Sequence, residues 1–188
     1  MSDVKRIVRR ILVAGIGNIF LGDDAFGVEV AQALMRRPLP AEVWVVDFGI
    51  RGYDLAYALL DDYDAAILVD AVARGEAPGT VSLIEPDPVA SNEATEPGEP
   101  SEPALDAHQM NPLQVLRMVR SLGGELRNLY LVGCEPAVLE PESGALGLSE
   151  EVSRAVPLAI GMIEALVRGL ISETGKEPIC AVQTKRPP

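Results

Sequence analysis

The chain opens its first legible pattern at residues 11–15, Ile-Leu-Val-Ala-Gly, a short apolar run closed by glycine, which predicts a buried strand. Residues 24–36 change period. Phe26, Val30, Ala31 and Leu34 recur at helical spacing, and Arg36–Arg37 follow at the C-terminal end, where cations suit the helix dipole. Pro-Leu-Pro ends that helix. Residues 41–47 predict a second strand and 52–62 a second helix, with Leu55, Ala58 and Leu59 facing inward. Residues 63–72 predict a third strand whose unbroken apolar run implies burial on both faces, as parallel sheets require. Residues 79–86 alternate, Val81 and Leu83 against Thr80 and Ser82. The turn before them lets this fourth strand run antiparallel to its neighbour.

The second half continues the alternation. Residues 111–124 predict a helix with Asn111 as N-cap, Pro112 at the first position and Gly123 as stop. Residues 127–136 predict a fifth strand. Residues 149–171 predict a last helix, capped by Ser149 and kinked near Pro157. Between strand 4 and the third helix, 86–106 is an acidic, proline-rich stretch without a basic residue, read as a solvated loop; the segment 172–188 is a polar tail. No internal repeat is visible.

Strands alternating with helices give an α/β fold, a mostly parallel sheet with helices on both faces, in one domain spanning 1–188. With strand order 2-1-3 in the first part, strands 1 and 3 are neighbours whose connections leave to opposite sides. Their carboxyl ends then form the switch-point crevice where open α/β sheets bind ligands.

Composition narrows the partners. The chain has 188 residues, 48% of them apolar, which suits a packed core. A formal net charge of −12 argues against nucleic acid and anionic membrane surfaces, and leaves room for a cation or a basic protein partner. Two cysteines, Cys134 and Cys180, do not make a disulfide framework and fit a reducing cytoplasm. The N-terminal segment lacks the apolar stretch of a secretory signal, and no apolar run is expected to approach transmembrane length.

The candidate chemistry lies at the predicted crevice. Gly15-Ile-Gly-Asn-Ile-Phe20 lacks the third glycine of a dinucleotide fingerprint, and no Gly-Lys-Ser/Thr follows to make a P-loop. With Asn18 supporting unusual backbone angles, the loop suits a tight turn that aims carboxylates. Gly27, inside the helix, admits a close neighbour. Asp23 and Asp24 follow strand 1, and Asp70 closes strand 3. Asp23 is expected to act as an N-cap. Asp24 and Asp70, brought together, repel and raise a pKa unless a cation or proton sits between them. His108 is the chain's one histidine. Its plain reading is a surface loop residue. A two-histidine protease motif and a structural zinc site are both excluded by that count. One imidazole with two carboxylates and open positions suits nickel or zinc in incomplete coordination.

Taken in order, Gly15-Ile-Gly-Asn-Ile-Phe-Leu-Gly-Asp-Asp-Ala-Phe-Gly-Val28, the segments 47–55, 67–72 and 78–81, His108-Gln-Met-Asn-Pro-Leu-Gln-Val-Leu116 and Leu131-Val-Gly-Cys-Glu-Pro136 resemble the endopeptidases that mature nickel–iron hydrogenases. The resemblance runs from about Ile11 to Leu170. It implies a five-stranded sheet sandwiched by helices. It also implies removal of a C-terminal extension from the hydrogenase large-subunit precursor after nickel insertion. Asp24, Asp70 and His108 match the family's metal-contacting and catalytic positions, with nickel supplied by the precursor; 49–52 matches a loop bearing on cleavage or recognition. Three rival expectations stand beside it: a cysteine hydrolase using Cys134 with His108 as base, a non-enzymatic nickel-dependent docking or delivery protein, and a nucleotide-binding module.

Overall fold

Five strands form one sheet in the order β2-β1-β3-β5-β4 in the computed structural model, which describes residues 10–61, 63–85, 112–124, 128–138 and 146–172. The strands are β1 (Ile11–Ile16), β2 (Val43–Gly49), β3 (Ala65–Ala71), β4 (Val81–Ile84) and β5 (Leu129–Cys134). The helices are α1 (Phe26–Met35), α2 (Gly52–Ala58), α3 (Pro112–Ser121) and α4 (Glu150–Ser172). Strands β2, β1, β3 and β5 run parallel, and β4 pairs antiparallel with β5. The expected neighbour relation of strands 1 and 3 is present.

The central strands are apolar on both sides because helices cover both faces. Ile11, Val13, Ile67 and Val69 pack beneath α1 and α4, with Phe26, Val30, Leu34, Ile163 and Val167. Leu12, Ala14, Ala66 and Leu68 face α2 and α3, against Leu55, Leu59, Val115 and Val119. Burying a side chain such as Phe26 or Leu34 completely contributes about 1.5–3 kcal/mol relative to leaving it in water. The layers are therefore helix, sheet, helix.

Several expectations shift in detail. The helix predicted from residue 24 is split: Asp23–Ala25 form a single 3-10 turn, with Asp24 N–H donating to Leu21 O and Ala25 N–H to Gly22 O, before α1 begins at Phe26. Leu83 is exposed at 41% rather than inward, because β4 is an edge strand; Val81, on the same side, packs against the core. Helix α4 keeps Pro157 inside an unbroken 23-residue span, and Ser149 caps it through Val152 N–H at 3.3 Å. That helix also corrects the membrane expectation. By length and composition it is apolar enough to cross a bilayer, yet its stripe from Val152 to Leu170 is packed in the core beside α1. The acidic stretch 86–106, Asn111, Cys180 and the tail beyond Ser172 lie outside the described residues.

Candidate active site at the carboxyl end of the sheet

Strand β1 ends in a turn that only glycine permits. Gly17 has φ +135°, and a Cβ there would sit 1.7 Å from the Asp24 carbonyl oxygen. The backbone thus folds directly onto the 3-10 turn. Asn18 supports the turn as expected, its Oδ1 accepting from Phe20 N–H at 3.0 Å. Its own N–H donates to Asp24 Oδ2 at 2.7 Å. Gly27 admits the neighbour anticipated for it: a Cβ there would lie 2.0 Å from Val69 O and 2.3 Å from Ile16 O. Helix α1 therefore starts pressed against the tops of both β1 and β3, which carries Asp24 toward the end of β3.

Asp70 stands at that end, paired in register with Gly133 of β5 and 6% exposed. One backbone donor, Ala71 N–H, reaches its Oδ1 at 2.9 Å. Burial first, and the nearby Asp24 carboxylate second, push the Asp70 carboxyl well above the ordinary carboxylate range. The two expected carboxylates are thus brought together and repel. A cation between them removes both costs, so this donor set fits a metal with oxygen ligands. His108 lies outside the described residues. Among those residues no three His, Cys, Asp or Glu side chains gather around one point.

Asp23 departs from expectation. It caps neither the 3-10 turn nor α1. Its Oδ2 accepts from Ala137 N–H at 2.8 Å and Val138 N–H at 3.0 Å, and its Oδ1 accepts from Ser149 N–H at 2.6 Å. Burial works to raise this carboxyl, but the backbone donors of Ser149, Val138 and Ala137, with the Ser149 hydroxyl, together hold it below the ordinary value. The sequence shows Asp23 beside a glycine turn; its partners, more than a hundred residues away, have no local signal.

Glu135 was not singled out by sequence. Its carboxylate accepts from Arg74 N–H at 2.7 Å and Gly75 N–H at 3.3 Å, which ties the turn after β3 to the end of β5. The donated bond from Arg74 is the chief cause holding its carboxyl low. The turn after β2 is closed by Arg51, whose guanidinium donates to the carbonyls of Phe48 and Asp47. That turn meets the glycine loop through Gly17 N–H to Gly49 O at 3.1 Å. Ile19, Phe20, Ile50 and Tyr53 are exposed on these two loops and their flanks.

Cys134 ends β5, fully buried. Burial, then the carboxylates of Asp23 and Glu135, push its thiol up to about 11, so it is a neutral thiol near pH 7. The rival reading of Cys134 as a nucleophile is not favoured on that ground: its surroundings oppose the thiolate.

A family model described as hydrogenase maturation protease matches residues 28–166. The chain belongs to that family. The hydrogenase 2 maturation protease of Escherichia coli strain K12 is 33% identical over 172 residues, covering 90% of this chain and 95% of that protein. A hydrogenase expression/formation protein from Rhizobium leguminosarum bv. viciae is 34% identical, covering 87% of this chain and 75% of its own length. Among solved structures, the hydrogenase maturating endopeptidase from E. coli superposes with a TM-score of 0.67 at 32% identity, over 88% of this chain and 94% of that one. A hydrogenase 2 maturation peptidase from a Thaumarchaeota archaeon gives 0.61 at 29% identity, over 85% and 98%. This hydrogenase maturation protease is therefore an enzyme that hydrolyses peptide bonds, and its three-layer sheet is the fold of its relatives. The non-enzymatic docking reading gains no support from these relatives.

Proposed function

We propose that this protease removes the C-terminal extension of a nickel–iron hydrogenase large-subunit precursor in the cytoplasm, and that it recognises the nickel already inserted there. The observation that carries the reading is the Asp24–Asp70 pair: two carboxylates from distant segments interact, and Asp70 is buried with the Ala71 N–H donating to its Oδ1. Such a pair is costly without a counter-charge and suited to one that arrives with the substrate.

In this reading Asp24, Asp70 and His108 supply oxygen and nitrogen donors to open positions of the precursor's nickel, and cysteine thiolates of the precursor supply the rest. Held by these residues, the precursor's nickel would bring the scissile bond to the crevice and would supply Lewis-acid polarisation of its carbonyl. The enzyme's own contribution is position. The Gly17 turn and the Asn18 N–H fix the Asp24 carboxylate, and the sheet fixes Asp70. Exposed Ile19, Phe20, Ile50 and Tyr53 offer apolar surface for the substrate chain beside the crevice.

The test is mass spectrometry of the nickel-loaded and nickel-free precursor mixed with wild type and with Asp24→Asn, Asp70→Asn and His108→Ala. The expected result is a mass loss only with nickel and wild type. Wild-type cleavage by all three variants overturns the site.

A further inference from the structure

We propose that Asp23 is a positioning residue, which sets where Asp24 stands relative to Asp70; this rests on the reading of the Asp24–Asp70 crevice given above. Asp23 and Asp24 are consecutive in one 3-10 turn, where successive side chains diverge by about 120°. They accordingly have different partners. Asp24 accepts from Asn18 N–H and faces Asp70. Asp23, 1% exposed, accepts three backbone N–H bonds from the exit of β5 and the start of α4.

Those bonds close a rigid circuit. Asp24 is one peptide from Asp23. The Asp23 carboxylate is bolted to Ala137 and Val138, which lie just beyond β5. Strand β5 pairs with β3, Gly133 directly opposite Asp70. One path from one crevice carboxylate to the other thus runs through backbone hydrogen bonds and the Asp23 side chain. Two other routes exist: the glycine turn, which depends on Gly17 and Gly22 at positive φ, and the start of α1, pressed at Gly27 against Val69 O of β3. An ionised carboxylate is the group that serves here: three backbone N–H groups donate to it, the Ser149 hydroxyl joins them, and charge-assisted bonds are the stronger kind. Asparagine is isosteric but turns its amide NH₂ toward one of them. Asp23 touches neither substrate nor reacting atoms in this arrangement.

A staple with no influence on the crevice would lower stability alone. The full chain is therefore compared as wild type, Asp23→Asn and Asp24→Asn, at a temperature where circular dichroism shows each folded. Two readouts are taken. One is paramagnetic broadening of the backbone amides of residues 24 and 70 on titration with NiCl₂. The other is the split between kcat and KM for nickel-loaded precursor. Asp23→Asn is expected to need about tenfold more nickel for the same broadening and to raise KM by a similar factor. A lower melting temperature with wild-type nickel titration and wild-type KM overturns the proposal. Val138→Pro removes one of the three donors and leaves both aspartates in place. Should Asp23→Asn fail to fold, Val138→Pro decides in its stead, a smaller shift of the same sign supporting the role and none overturning it. If Asp24→Asn itself titrates and cleaves as wild type, the crevice reading has failed and this inference falls with it. If Asp24→Asn is impaired and Asp23→Asn is not, only the positioning role is lost.

Discussion

Two regions at the top of the sheet handle a buried carboxylate in opposite ways. At the junction of the β1 turn with the start of α4, Asp23 meets three backbone donors and is held ionised below its ordinary value of 3.8. In the crevice, Asp70 meets one backbone donor and a second carboxylate, and is driven above the same ordinary value. Burial is common to both and does not decide the outcome. What decides it is whether the surroundings present N–H groups or another negative charge. A saturated carboxylate stabilises the fold. In the proposed reading, the facing Asp24–Asp70 pair gives up some stability in exchange for affinity for a cation.

The largest effect that can break this comparison is on activity. Asp70→Asn should reduce cleavage of nickel-loaded precursor by at least about a hundredfold while leaving the melting temperature unchanged or raised, because the substitution removes a buried repulsion. Loss of fold together with activity would place Asp70 with the structural carboxylates instead. Next in size is Gly17→Ala. Its Cβ would overlap the Asp24 carbonyl, at a φ that side chains avoid, and a loss of about 2–4 kcal/mol in urea melts is expected. Asp23→Asn should cost about 2–3 kcal/mol near pH 7, measured the same way.

The pH dependence sharpens the contrast, because the two signs are opposite. Asp23 has a folded pKa below its unfolded one. Its contribution is present above the unfolded value and is lost as pH falls through the folded value. Asp70 has a folded pKa above its unfolded one. Between the two values the native state binds more protons, so stability drops as pH rises through that window. Urea melts across pH 3–8 should therefore show Asp23→Asn flattening the acid-side loss and Asp70→Asn flattening the decline toward neutrality. The smallest effect is at Cys134. Its buried thiol should resist iodoacetamide at pH 7 in the folded protein, and Cys134→Ala should keep cleavage activity at a stability cost of about 1 kcal/mol. Rapid alkylation with loss of activity would revive the thiol as a nucleophile.

The sequence by itself determined the layered α/β order, since β3 is apolar on both faces and the helices each show one apolar stripe; periodicity records which faces are covered. It also placed Asp24 after the first strand and Asp70 at the end of the third, because a glycine break and the end of an apolar run mark those positions. Only the tertiary structure decided that Asp23 and Asp24, adjacent and chemically identical, meet different partners. Their partners, Ser149, Val138 and Ala137 for one and Asp70 for the other, come from segments far along the chain. The same holds for Glu135 and for the Cys134 thiol, whose pKa is pushed up by burial and by Asp23 and Glu135. Local sequence fixes which groups a residue carries, whereas the donors and charges that set its ionisation arrive through folding.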